Sequence, residues 1–126
     1  MNKLIFLIVL LSGSPAFADT LFDKCMAGID YGAFKNTQMQ ACAKDELVRA
    51  DRSLNAEYKA ATARIKGDGS MVGTGLTVAQ RAWMDYRDKW CFFESVAHED
   101  ATSDFKRLSC LADLTARQAV RIKNSY

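Results

Sequence analysis

The segment AQRAWMDYRDKWC, residues 79–91, concentrates two tryptophans, a tyrosine, two arginines and a cysteine within little more than three helical turns. Such a density is either a binding surface or one face of a small core. Its apolar residues recur at threes and fours, which is the spacing of an amphipathic helix. We predict that this helix opens at Thr77, because TVAQ (residues 77–80) matches a capping box in which Thr77 and Gln80 satisfy each other's backbone donors.

A longer amphipathic helix is predicted upstream, from Thr37 to about Lys66. Its apolar positions also recur at threes and fours: Met39, Leu47, Ala50, Leu54, Tyr58, Ala61 and Ile65. The segment GDGSMVGTG, residues 67–75, follows it with four glycines in nine positions, which predicts a loop.

A third helix is predicted from Ser103 onward, after the polar connection AHEDATS (residues 97–103). Its apolar positions are Leu108, Leu111, Ala112, Thr115, Ala119 and Ile122. The apolar residues of segment 20–36 show no regular spacing, so we predict only one short helical turn and a loop there. The fold class is therefore all-α: a small disulfide-stapled bundle built on a long antiparallel helical hairpin plus a C-terminal helix.

In an antiparallel hairpin, the rings of the second helix would face small residues of the first. We expect Tyr86 and Trp90 to project toward Tyr58 and Leu54, and Trp83 toward Ala61. Large rings opposite small residues interdigitate well, so the aromatic density of residues 79–91 is interpreted mainly as core.

The charged residues beside these rings need a separate explanation. Arg87 and Asp88 can reach Asp51 or Glu57 of the first helix, which would fix the register of the hairpin.

Residues 1–18 have the pattern of a cleaved secretory signal. Lys3 precedes the short apolar run LIFLIVLL (residues 4–11), and AFA (residues 16–18) fits a small-x-small cleavage site. The expected mature domain, residues 19–126, is then exported and soluble, with no membrane anchor. A periplasmic location is the expectation.

The charge balance argues against nucleic acid as a partner. The full sequence has a formal net charge of +2, and the mature part is close to neutral without Lys3. Basic residues alternate with acidic ones along every segment, so there is no basic patch for a phosphate backbone.

Four cysteines remain in the mature part: Cys25, Cys42, Cys91 and Cys110. An even number in a small exported chain indicates two disulfides. Three pairings are possible, and the sequence separations favour Cys25–Cys42 and Cys91–Cys110. A zinc site would need close pairs such as C-x-x-C, and there are none.

Catalysis and cofactor binding have little support. His98, Glu99 and Asp100 form the one triplet that could hold a metal ion, but adjacent residues rarely converge on one ion and no second histidine completes a site. Oxidised cysteines offer no thiolate nucleophile. We expect no enzyme activity, no cofactor and no metal.

Two blocks of the chain resemble the LprI-like family of small exported helical domains. They are TQMQACAKDELVRADRSLNAEY (residues 37–58) and AQRAWMDYRDKWC (residues 79–91), and SCLADLTARQAVRI (residues 109–122) resembles the closing helix of the family. The residues that carry the resemblance are Thr37, Cys42, Leu47, Asp51, Leu54, Asn55, Tyr58, Gln80, Arg81, Trp83, Tyr86, Arg87, Asp88 and Cys91.

The resemblance implies a non-enzymatic periplasmic protein that binds and inhibits a lysozyme and so protects the cell wall. An immunity or envelope-stress protein with a different protein partner is the alternative. Within the pattern we expect a structural network of Asp51, Asn55, Tyr58, Gln80, Trp83, Tyr86 and Arg87. The expected partner contacts are the side chains of the glycine-rich segment: Asp68, Ser70, Met71 and Thr74.

Overall fold

The structure, a computed structural model, describes residues 20–32, 34–65, 70–97 and 100–125. The predicted signal, residues 1–18, lies outside them. The described residues form four helices and no strand, so the all-α prediction is confirmed.

The helices follow the periodic segments of the sequence. They are α1 (Leu21–Ala27), α2 (Lys35–Ile65), α3 (Ser70–Ala97) and α4 (Ser103–Ser125). The short α1 begins with a capping box, because the Thr20 hydroxyl accepts from the Asp23 backbone and the Asp23 carboxylate accepts from the Thr20 backbone.

Helix α4 lies parallel to α2 and packs along it. Near the start of both helices, the Asn36 side chain donates to the Ala101 carbonyl at 3.3 Å. Further along, buried Leu54 of α2 belongs to the same cluster as buried Ala119 of α4. Small residues on α4 allow the two backbones to approach closely.

Helix α3 runs antiparallel to α4. The Cys91–Cys110 disulfide joins the two helices at one end, and the Gln118 amide donates to the Gln80 side chain at 3.0 Å toward the other. The last helix of the chain therefore lies in the groove between the two arms of the α2–α3 hairpin.

The apolar core lies where the three long helices meet. Its buried members are Leu54, Ala61, Ala119 and Ile122, and the partly buried Tyr58, Leu76 and Trp83 pack against them. Trp83 thus lies on the cluster that contains Ala61, in agreement with the expected hairpin packing.

The expected burial of the other rings of α3 is wrong. Tyr86 is 52% exposed and Trp90 is 41% exposed, and the next ring along α3, Phe93, is 55% exposed. The reason is the position of α4, which fills the space between the hairpin arms and takes the contacts with α2 that these rings were expected to make.

The predicted start of α3 at Thr77 is also wrong. The helix begins at Ser70 and continues through Gly73 and Gly75, and the Thr77 hydroxyl donates to the Gly73 carbonyl at 3.1 Å, as an interior residue does. Each glycine weakens a helix by about 1 kcal/mol. Packing of Leu76 on the core offsets this cost.

Both predicted disulfides are present. Cys25 pairs with Cys42 and Cys91 pairs with Cys110, with Cα–Cα distances of 5.7 and 5.5 Å. Because α2 and α4 run parallel, the two bridges lie toward the same end of the bundle, opposite the α2–α3 connection.

None of the helices in the described part of the chain combines the length and the apolar character that crossing a membrane requires.

Candidate functional site

A groove opens between α2 and α3, above α4. Its volume is about 370 Å³. The residues that line it come from facing sides of the two helices: Asp51, Leu54, Asn55, Tyr58, Thr77, Gln80, Arg81, Met84 and Arg87. It exists because α4 holds the two hairpin arms apart. Most of its lining residues carry a polar group, while most of the surface that they present is apolar.

Arg87 anchors one end of the groove. Its guanidinium bonds the Asp88 carboxylate at 2.8–2.9 Å, donates to the buried Thr115 hydroxyl at 3.1 Å and lies 3.6 Å from the Asp51 carboxylate. It also lies over the Trp83 ring, 5.3 Å from its centroid. The side chain is only 16% exposed, and its contacts link α3 to both α2 and α4.

Gln80 forms part of the wall and floor. Its side-chain oxygen accepts from Gln118 of α4, and both residues are 9% exposed. The other end of the Gln80 amide makes no hydrogen bond with the described residues. The Gln118 side-chain oxygen is buried without a hydrogen-bond partner among the described residues, and such a group is costly to leave unpaired.

Tyr58 and Thr77 close the other end of the groove. Their hydroxyl oxygens lie 3.2 Å apart, and since the Thr77 hydroxyl donates to Gly73, the Tyr58 hydroxyl donates to Thr77. This bond joins α2 to α3 directly, near their connection.

Arg81 and Asn55 are the exposed polar residues of the groove. Neither forms an ion pair or a side-chain hydrogen bond with the described residues. A carboxylate of a bound partner could therefore pair with Arg81 without first displacing another side chain of the domain. The groove offers one unpaired guanidinium beside amide and hydroxyl groups.

The expected structural network assembles in this groove with one exception. Asp51, Tyr58, Gln80 and Arg87 line it, together with Asn55, and Trp83 lies beneath Arg87. Tyr86 does not belong to it. Two members of the polar framework, Thr115 and Gln118 of α4, were not expected, because nothing in the sequence pairs α4 with these residues.

Of the expected partner contacts, Met71 and Thr74 lie in the first turns of α3, which we call the hairpin tip, rather than in a loop. Met71 is 87% exposed and Thr74 is exposed, both in the first turns of α3. Ser70 is the first residue of α3, and Asp68 lies outside the described residues.

The tip and the groove form one continuous strip. Thr74, Thr77 and Arg81 are spaced by three and four residues, so they share one flank of α3. At the rise of an α-helix, Arg81 lies about 10 Å along the axis from Thr74.

A second surface was missed by the sequence analysis. Tyr86, Trp90 and Phe93 form an exposed ladder on α3, with ring centroids 6.2 and 5.6 Å apart. Their helical spacing predicts a shared face but does not say whether another helix covers that face.

The described residues contain no group of three His, Cys, Asp or Glu side chains that could hold a metal ion. Asp100 of the HED triplet is described and its carboxylate bonds Lys106 and Thr102, whereas His98 and Glu99 lie outside the described residues.

Comparison with known proteins decides the family. The family model described as lysozyme inhibitor LprI matches residues 32–121, which is most of the chain. The chain belongs to the LprI family. No curated protein and no solved structure gave a significant match.

The LprI match spans both walls of the groove and its floor. Six polar residues that carried the resemblance line this one site: Asp51, Asn55, Tyr58, Gln80, Arg81 and Arg87. The two sequence blocks of the LprI resemblance, separated along the chain, therefore meet in a single groove.

Proposed function

We propose that this domain is a non-enzymatic binding protein that inhibits a lysozyme by inserting its hairpin tip into the substrate cleft. Membership of a family described as lysozyme inhibitors is the observation that carries the proposal. The strip that runs from the tip to Arg81 is the proposed contact surface.

The chemistry of the strip supports this role. Lysozymes cleave glycosidic bonds with a pair of carboxyl groups in a cleft. Arg81 is an exposed guanidinium without a carboxylate partner among the described residues, and an arginine can bond a carboxylate in a bidentate manner. Met71 at the tip adds apolar surface that is 87% exposed.

The proposed location is the periplasm, after removal of residues 1–18. Two disulfides in a domain of this size are typical of oxidising compartments, where lysozymes also act.

The test is inhibition of chicken-type, goose-type and invertebrate-type lysozymes by purified, oxidised protein. We expect at least one enzyme to be inhibited. Arg81→Ala should weaken the inhibition by about tenfold, as loss of an interface arginine commonly does. Arg121→Ala is the matched control, because Arg121 is an exposed arginine of α4 outside the groove.

Met71→Ser and Thr74→Ala test the tip separately. Both residues are exposed, so circular dichroism should show an unchanged fold. If inhibition survives both changes, the tip is not the contact. If no lysozyme is inhibited, the proposal fails and the alternative, an immunity or envelope-stress protein with another partner, should be tested by copurification from periplasm.

A further inference from the structure

The aromatic ladder belongs to a longer flank of α3 that consists mainly of small and aromatic residues, with the exposed Lys89–Asp85 ion pair along one edge. The flank contains positions spaced by three or four residues: Gly75, Ala79, Ala82, Tyr86, Trp90 and Phe93. All six are exposed. At about 100° per residue, this flank lies on the opposite side of α3 from Thr77 and Arg81, so it is separate from the groove.

The order of residue sizes along this flank is self-complementary. Three small residues come first and three large rings follow, at matching intervals. In an antiparallel pair of α3 helices centred near residue 84, Phe93 of one copy faces Gly75 of the other, and Trp90 faces Ala79. Tyr86 faces Ala82 in the same way.

We propose that this flank, which we name the ring flank, is the interface of a symmetric dimer of this chain. A two-fold axis near residue 84 lets every ring of one copy pack on a small residue of the other, as an isologous interface requires. Glycine and alanine at the facing positions allow the helix axes to approach to within about 8–10 Å.

The tip residue Met71 fits the same arrangement. The antiparallel pairing brings Met71 of one copy close to Ala97 of the other. There, Phe93, Ala97 and Phe105 line part of an open, mostly apolar pocket of about 640 Å³ between α3 and α4. Met71, at 87% exposure, is an apolar side chain that such a pocket would bury, so the dimer would withdraw the tip and only the monomer would inhibit a lysozyme.

The area of the interface indicates a weak dimer. An aromatic side chain has roughly 150–250 Å² of surface, of which about half is exposed here, so six rings would bury on the order of 600 Å². The facing small residues and Met71 bring the total to about 1,000 Å². This is the lower limit for a specific interface, so we expect a weak, concentration-dependent dimer.

Sedimentation equilibrium of the full oxidised chain, without its signal, tests the proposal. We expect a concentration-dependent monomer–dimer equilibrium that Trp90→Ala weakens at least tenfold. Phe93→Ala should weaken the dimer as well, and Phe92→Ala is its matched control, because Phe92 is a phenylalanine of α3 outside the ring flank with the same 55% exposure. A chain that stays monomeric at millimolar concentration, or equal weakening by Phe93→Ala and Phe92→Ala, would overturn the proposal.

A size exchange tests the two-fold register. Ala79→Trp alone should place the new ring against Trp90 of the other copy and abolish the dimer by steric overlap. The double variant Ala79→Trp/Trp90→Ala again places a large residue opposite a small one. Recovery of at least half of the lost dimer at equal concentration supports the pairing of position 79 with position 90. A double variant as weak as the two single ones would reject it. Arg81→Ala should leave the equilibrium unchanged, which separates this test from that of the lysozyme contact.

Discussion

Arg87 contacts all three long helices through one planar group. It bonds Thr115 of α4, lies near Asp51 of α2 and lies over Trp83 of its own helix. The sequence predicted the approach to Asp51 because both residues lie on polar positions of neighbouring amphipathic helices. It did not predict the hydrogen bond from Arg87 to Thr115, because a threonine on an apolar stripe does not indicate which donor its hydroxyl will accept from.

Arg87→Lys should lower the free energy of unfolding by about 1–2 kcal/mol, because an ammonium cannot bond Asp88 and Thr115 in the same plane or lie flat over Trp83. Urea unfolding under non-reducing conditions measures the change. Arg81→Lys is the control and should leave stability within about 0.5 kcal/mol. Equal stability of both variants would show that Arg87 does not hold the helices in register.

The Asp100 carboxylate predicts a stability change in acid. Hydrogen bonds from the Lys106 side chain, and from the Thr102 side chain and backbone, hold the pKa of Asp100 well below its usual value. A carboxyl group whose pKa is lower in the folded than in the unfolded chain stabilises the fold at pH values above its unfolded pKa, which is near 4. This stabilisation decreases as the pH falls below that value. Asp100→Asn should therefore lose less thermal stability than the natural chain between pH 7 and about pH 3.

The control for this acid series is Asp45→Asn, because Asp45 is exposed and its side chain makes no hydrogen bond or ion pair with the described residues. Its melting temperature should fall between the two pH values as much as that of the natural chain. If Asp100→Asn behaves in the same way, the contacts at the start of α4 do not contribute to the acid sensitivity.

At the scale of elements, periodicity predicted the positions of α2 and α4 closely and failed at the start of α3. The failure lies in residues 70–76, where two glycines and no proline stand within the helix. Local propensity favours a loop there. The helix forms because Leu76 packs on the core and Gly73 lies close to Ile65, and these contacts cannot be seen from local sequence.

Gly75→Ala should raise the free energy of unfolding by about 0.5–1 kcal/mol, because a Cβ at this helical position meets no atom within 4 Å. Thermal unfolding at micromolar concentration, where the monomer dominates, measures it. Ala79→Gly in the same helix should lower the free energy of unfolding by a similar amount, which gives the size of the glycine-to-alanine effect in α3. No gain from Gly75→Ala would mean that residue 75 is not helical.

At the scale of the whole molecule, an amphipathic stripe predicts that a helix face is buried but not which helix covers it. The stripes of α2 and α4 were predicted largely correctly and that of α3 was not, because α4 rather than α3 covers most of α2. Ala112 and Ala119 are small enough for α4 to lie close to α2, and this closeness leaves Tyr86 and Trp90 exposed. The polar walls of the groove were predictable, whereas its floor was not.

The two disulfides should differ in their effect on stability. Cys91→Ala/Cys110→Ala should lower the free energy of unfolding by about 3 kcal/mol, the chain-entropy estimate for a loop of this size. Cys25→Ala/Cys42→Ala should cost less, because α1 has no buried residue and can detach while the long helices stay packed. Non-reducing urea titration of both double variants compares them, and an equal loss would contradict this difference.

The position of α4 also sets the order in which the molecule can form. A chain that emerges with its amino end first, from a ribosome or a secretion channel, exposes α2 and α3 before the helix that covers them exists. Until residues 103–125 have emerged, Leu54 and Trp83 lack Ala119 and Ile122, against which they pack in the finished domain. We therefore expect the core to close only when synthesis or transport of the chain is nearly complete.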